Sequence, residues 1–203
     1  MLAGEREAAE APREGGMLMT LVESVDLPLG SKMPSFKLKD ALGRAYDSDE
    51  LFGPRGLLVV FTCNHCPYAN AQWPRLVKLA RWGRDKGIHT VAINANIHPD
   101  YPDDAPDKMP KKIEELGIDF PYLVDESQEV ARTFKAQCTP DPYLYDGERR
   151  LVYHGRIDDN WKDEKGVGQE ELREAMAAMV AGEEVGAQQN PSMGCSIKWR
   201  RDD

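Results

Sequence analysis

The sequence predicts an α/β chain, a mixed β-sheet flanked by helices, and three observations carry that expectation. Two apolar runs rich in β-branched residues, Gly56 to Thr62 and Ile88 to Ala95, suit strands buried on both faces of a sheet. A helical stripe of Ala69, Trp73, Leu76, Val77 and Ala80 lies between them. A second stripe, Leu172, Ala175, Met176, Met179 and Val180 at i, i+3, i+4, i+7 and i+8, follows a strand pair near the C-terminus.

The remaining elements follow in order. Phe36-Lys37-Leu38-Lys39 alternates apolar and polar, and a short strand after Ala41-Leu42-Gly43 completes an N-terminal hairpin. Ser48 is placed to cap a single helical turn ended by Gly53-Pro54. The run ending at Thr62 leads into Cys63-Asn64-His65-Cys66-Pro67. Pro67 falls in the first helical turn, where its missing N–H costs nothing, and Pro74 is expected to kink the helix. After the second apolar run, the acidic, proline-punctuated stretch from Asn96 to Asp107 reads as a solvated loop. Its Asp100, Asp103, Asp104 and Asp107 lack the spacing and glycine of a calcium loop. A lysine-rich helix to Gly117, a strand from Phe120 to Val124 and a helix capped by Ser127 come next. Tyr143-Leu144-Tyr145 and Leu151-Val152-Tyr153 form a hairpin through Asp146-Gly147, and Gly182 stops the last helix. Ile197 and Trp199 are expected to anchor the tail on the domain.

A chain of 203 residues suits one domain with extensions: a disordered arm over residues 1–16 and a single domain, tail included, over 17–203. With 35 acidic against 26 basic residues the formal charge is -9, and no basic run offsets it. A polyanion-binding surface is excluded on that ground, and no nucleic acid partner is expected. No apolar run approaches the roughly 20 residues of a bilayer span, so no membrane partner is expected. The Glu-, Ala- and Arg-rich start has no apolar core of a secretory signal, which makes the cytoplasm the expected location.

Four cysteines stand at 63, 66, 138 and 195, and in a reducing compartment two permanent bridges are not expected. Cys63 and Cys66, two residues apart at a helix N-terminus, can close a small disulfide. The first is expected to be exposed at the turn, where free helix N–H groups and the macrodipole favour a thiolate and lower its pKa. Cys63 would then attack a substrate disulfide and Cys66 resolve the mixed disulfide. His65 beside them would pair with the Cys63 thiolate and make the pair more oxidising. A zinc site wants four ligands, usually from two such pairs, and only one pair exists here.

The order of elements, with a CxxC between the first buried strand and its helix, resembles the thioredoxin fold. Cys138-Thr139-Pro140 stands where thioredoxin-like proteins carry a cis-proline facing the CxxC, leaving the Thr139 backbone to pair with an incoming peptide. The stretches Phe61 to Pro67, Tyr101 to Asp104, Thr139 to Asp146, Tyr153 to Asp159 and Gly194 to Trp199 together resemble the peroxiredoxin-like branch of that superfamily, grouped with the redoxin and AhpC/TSA proteins.

What the resemblance implies is a thiol-disulfide oxidoreductase and antioxidant protein, with Cys63, Cys66 and His65 as catalytic residues. Asn64, Cys138, Thr139 and Pro140 would line the substrate site. Its partners would be a protein or small-molecule disulfide or thiol and a separate reductant, with oligomerisation open, and no cofactor or metal is expected beyond the cysteine pair. Peroxiredoxins carry Thr or Ser three residues before the peroxidatic cysteine. If Cys66-Pro67 matches that Cys-Pro, Cys63 holds the hydroxyl position, and disulfide exchange is preferred to peroxide reduction. Thioredoxins proper bury an acid in the strand beneath the pair. Gly56 to Thr62 has none, leaving Asp158 and Asp159 as proton-transfer candidates that read better as loop-fixing residues. From another class, Cys63, Cys66 and Cys138 together would suit Cu(I), which soft thiolates select.

Overall fold

A computed structural model describes residues 21–200. The expected arm over residues 1–16 and the very start of the expected domain lie outside them. Ten strands and four helices alternate along the described chain. They run β1 (Leu21–Glu23), β2 (Lys37–Asp40), β3 (Ala45–Asp47), β4 (Gly56–Phe61), α1 (Pro67–Asp85), β5 (Ile88–Asn94) and α2 (Met109–Leu116). After them come β6 (Tyr122–Val124), α3 (Glu129–Phe134), β7 (Cys138–Thr139), β8 (Asp141–Asp146), β9 (Leu151–His154), α4 (Glu171–Ala181) and β10 (Met193–Ser196).

Seven strands form one mixed sheet in the order β3-β2-β6-β5-β4-β8-β9. β4 lies at its centre, parallel to β5 and antiparallel to β8. All six β4 residues are buried, because alternate side chains feed two cores. Leu58 and Val60 pack with Trp73, Leu76, Leu172 and Met176 under α1 and α4. Leu57, Val59 and Phe61 pack with Phe134, Tyr143 and Ile197 on the α3 side. The α/β expectation and the N-terminal hairpin, β2 with β3, are both realised. α1 continues through Pro74.

Two local expectations are corrected. The cap of the 3-10 turn at Ser48–Glu50 is Asp47, whose carboxylate accepts from the Asp49 N–H. Ser48 is instead buried and accepts from the Phe36 N–H at 3.0 Å, closing the hairpin onto the core. The second concerns the chain end. Residues 193–196 form β10, the middle strand of a second, three-stranded sheet ordered β1-β10-β7. The tail thus docks as a strand, with Ile197 buried behind it and Trp199 packed against the second core.

Candidate active site

Cys66 is the residue that caps α1, and Cys63 is one turn earlier, directly beyond the end of β4. A strand that terminates at the helix N-terminus fixes both sulfurs at the C-terminal edge of the sheet, where parallel α/β units build their sites. Thr139 joins them from β7. Its Oγ1 lies 3.3 Å from Cys63 Sγ, and its carbonyl oxygen lies 3.4 Å from Cys66 Sγ. The Thr139–Pro140 peptide is cis. Trp73, one helical face further on, donates its indole N–H to the Cys63 carbonyl at 3.0 Å.

The expected exposure of Cys63 is wrong. Both sulfur-bearing residues are 0% exposed. Burial, the Cys66 sulfur and the nearby Asp104 carboxylate all push the Cys63 thiol up, not down. At Cys66 burial alone would do the same. The thiols of Cys195 and Cys63 and the backbone N–H groups of Ala69 and Cys195 outweigh it, holding Cys66 well below the ordinary thiol range. The two thiols titrate together, and these directions favour the proton on Cys63 and the charge on Cys66. Burial raises Cys138 as well, and the Cys66 sulfur and burial raise Cys195. The reduced protein at neutral pH is thus expected to show the ultraviolet absorbance of a single thiolate. Cys66→Ser should abolish that absorbance and Cys138→Ser should leave it; loss on Cys138→Ser would overturn the assignment.

Asp104 is the residue that sequence reasoning missed. It stands in the stretch read as a solvated acidic loop, yet it is fully buried. Its Oδ1 accepts from the Asn64 N–H at 2.6 Å and the His65 N–H at 3.2 Å, and its Oδ2 bonds His65 Nδ1. A single-turn 3-10 segment at Pro102–Asp104 delivers it, held by Asn94, whose amide donates to the Asp104 carbonyl at 3.0 Å. The one available signal was the Tyr101-Pro102-Asp103-Asp104 motif; its acidity pointed to solvent. A ring nitrogen of His65, an Asp104 oxygen and Cys63 Sγ lie within 4.8 Å of one another. His65 Nε2 is buried without a partner among the described residues, and its ring packs on Tyr101 at 4.7 Å.

The other sequence candidates sort plainly. Asn64 is committed internally: its amide donates to the Asp103 carbonyl at 2.9 Å, and its oxygen accepts from Tyr122 Oη at 3.1 Å. The Thr139 backbone is not free for an incoming peptide, because β7 is already paired with β10, Cys195 opposite Thr139. Cys138 precedes Thr139 on the strand and so faces away from it; its thiol lies near the Pro140 carbonyl and Ser192. The Cu(I) set of Cys63, Cys66 and Cys138 is therefore not assembled. The cysteine outside the pair that lowers the Cys66 thiol is Cys195. Asp158 pairs with Arg75 at 2.5 Å, and Asp159 accepts from the Gly168 N–H at 2.9 Å, so both fix loops as read. A cleft of about 750 Å³, lined by His98, Asp100, Tyr101, Lys198, Trp199 and Arg200, opens beside the site and shares Tyr101 with it.

A family model described as the AhpC/TSA family matches residues 29–154, more than half of the chain and all of the strand–CxxC–helix unit. The chain belongs to the AhpC/TSA family. Among solved structures, an uncharacterized conserved protein from Geobacillus kaustophilus is 40% identical over 92% of this chain and 100% of its own, with a TM-score of 0.86. A hypothetical protein from Sinorhizobium meliloti 1021 is 38% identical over 89% of this chain and 99% of its own, with a TM-score of 0.83. Among curated relatives, thiol-disulfide oxidoreductase ResA of Halalkalibacterium halodurans is 24% identical over 61% of this AhpC/TSA chain. The matched stretch spans 65% of that relative's length. ResA of Bacillus anthracis is 21% identical over 62% of this chain and 68% of its own. The thioredoxin-like fold is shared more widely, as with a thiol:disulfide interchange protein DsbE from Chlorobium tepidum at a TM-score of 0.57.

Proposed function

We propose that this AhpC/TSA protein is a thiol-disulfide oxidoreductase working through Cys63 and Cys66. The observation that carries it is the seating of Cys63 Sγ against the Thr139 hydroxyl and of Cys66 Sγ against the Thr139 carbonyl, at the start of a helix. The curated relatives named thiol-disulfide oxidoreductase match 61% and 62% of this chain.

Exchange starts from the protonated Cys63. The His65–Asp104 pair takes its proton as the sulfur attacks a substrate disulfide, forming a mixed disulfide and releasing a thiolate. Cys66, already ionised, then attacks Cys63 and expels the second substrate thiol. Substrate is reduced and the pair becomes a disulfide; a separate thiol reductant, or the reverse reaction, restores it. Because both sulfurs are buried and the β7 edge is filled, the substrate is a thiol or disulfide that reaches the pair along the cleft beside Tyr101 and Lys198.

The test is thiol counting by mass spectrometry in defined dithiol buffers. A reversible two-electron couple absent from both Cys63→Ser and Cys66→Ser is the expected result; thiols that never pair would end the reading. The role of His65 is tested separately. In His65→Ala, Cys63 must ionise unaided from its raised pKa, so the exchange rate near pH 7 should fall about 10²-fold and recover as pH rises. An unchanged pH–rate profile would leave His65 a packing residue against Tyr101.

A further inference from the structure

Cys195 does not belong to the pair that the sequence singled out, yet the fold places it at the same sulfurs. β10 lies antiparallel to β7 with Cys195 directly opposite Thr139. Residues directly opposite in an antiparallel pair project side chains to the same face. The Thr139 side chain on that face touches Cys63 Sγ, so Cys195 is aimed at the CxxC. Its residue is 1% exposed and shares one core with Cys63 and Cys66. Gly194 makes this approach possible, because a Cβ there would meet the Thr139 carbonyl oxygen at 2.1 Å. β10 therefore occupies the strand edge that the sequence reading had reserved for an incoming peptide, and it brings a thiol with it. The Cys63 and Cys195 thiols both lower the Cys66 thiol, and the Cys66 sulfur raises each of them in turn.

We propose that Cys195 is a third redox cysteine, which takes over the disulfide from Cys63 by bonding to Cys66. The proposal rests on the oxidoreductase reading of the Cys63–Cys66 pair. In the step, Cys195 Sγ gives up its proton and attacks Cys66 Sγ of the Cys63–Cys66 disulfide. The Cys66–Cys195 bond forms as the Cys63–Cys66 bond breaks, and Cys63 leaves as a thiolate that takes up the proton. Nothing is oxidised or reduced on balance; the oxidising equivalent supplied earlier by the substrate disulfide moves onto β10. The Cys66 sulfur first and burial second raise the Cys195 thiol against the nearby Lys198 ammonium, and locking Cys66 in a disulfide removes the first of these. The outcome frees Cys63, next to His65 and Asp104, and ties the N-terminus of α1 to the C-terminal strand.

The full-length chain and its variants are oxidised with glutathione disulfide, quenched in acid, alkylated, digested and mapped. Singly oxidised wild type should contain Cys63–Cys66 and, in a fraction of molecules, Cys66–Cys195 with Cys63 alkylated; Cys195→Ser should lose that fraction entirely. Cys63→Ser should form Cys66–Cys195, and Cys63→Ala should do the same if serine perturbs folding. Cys63→Ser/Cys195→Ser should stop at a Cys66–glutathione adduct. If wild type forms Cys63–Cys66 while neither Cys63 variant forms Cys66–Cys195, or if Cys195 pairs with Cys138 instead, the proposal is overturned and the oxidoreductase reading stands. If wild type forms no Cys63–Cys66 disulfide at all, it is the oxidoreductase reading that fails.

Discussion

Cys66→Ser should reduce steady-state disulfide exchange by about three orders of magnitude or more, the scale of loss when a reacting group is removed from a catalytic unit. The variant should also accumulate a mixed disulfide between Cys63 and the substrate, because the sulfur that resolves it is gone. Cys66 matters most because it carries the charge: two thiols and two backbone N–H groups converge on its sulfur, while burial and Asp104 keep the proton on Cys63. Serine at 66 keeps the shape of the helix start but cannot hold that charge near neutral pH. Trapping with a disulfide substrate and mass mapping checks both parts. If the adduct is trapped in Cys63→Ser at Cys66 rather than in Cys66→Ser at Cys63, attacker and resolver exchange roles.

Arg75→Met should cost roughly 3–5 kcal/mol of stability, the range for removing one partner of a buried ion pair. Arg75, on α1, and Asp158, on the loop after β9, are both buried, at 9% and 5% exposure. The guanidinium also donates to the Asn160 carbonyl at 2.8 Å and the Trp161 carbonyl at 2.5 Å. One side chain thus ties the helix that begins at Cys66 to residues 158–161, and its loss strands a carboxylate away from water. Urea unfolding of the reduced protein measures the cost. Arg75→Met/Asp158→Leu should recover much of it, since no charge is left buried. A loss below about 1 kcal/mol would place the pair with solvent-screened bridges instead.

Much of the fold was legible because it is written in short-range patterns. Alternation at Phe36 to Lys39 gave a hairpin strand, unbroken apolarity at Gly56 to Thr62 gave a strand buried on both faces, and the stripe after Pro67 gave the helix. β10 was illegible for the same reason. Met193-Gly194-Cys195-Ser196 has no period to read, and it is a strand because β1 and β7 offer it hydrogen bonds on both edges. Asp104 misled because an acid among prolines and other acids ordinarily faces water. Here the N–H groups of Asn64 and His65 and the His65 ring, 39 to 40 positions away, replace that water.

By itself, then, the sequence determined that a CxxC would stand between a central strand and its helix, with Thr139-Pro140 to follow, since strand, turn and helix signals are local and period-bound. Tertiary structure alone decided which sulfur holds the charge, which acid meets His65, and which cysteine completes the cluster. Those outcomes depend on burial and on donors brought from Asp104, Thr139 and Cys195. A pKa or a sulfur–sulfur contact is set by what surrounds a group in space, and residues so far apart in the chain leave no local pattern to announce it.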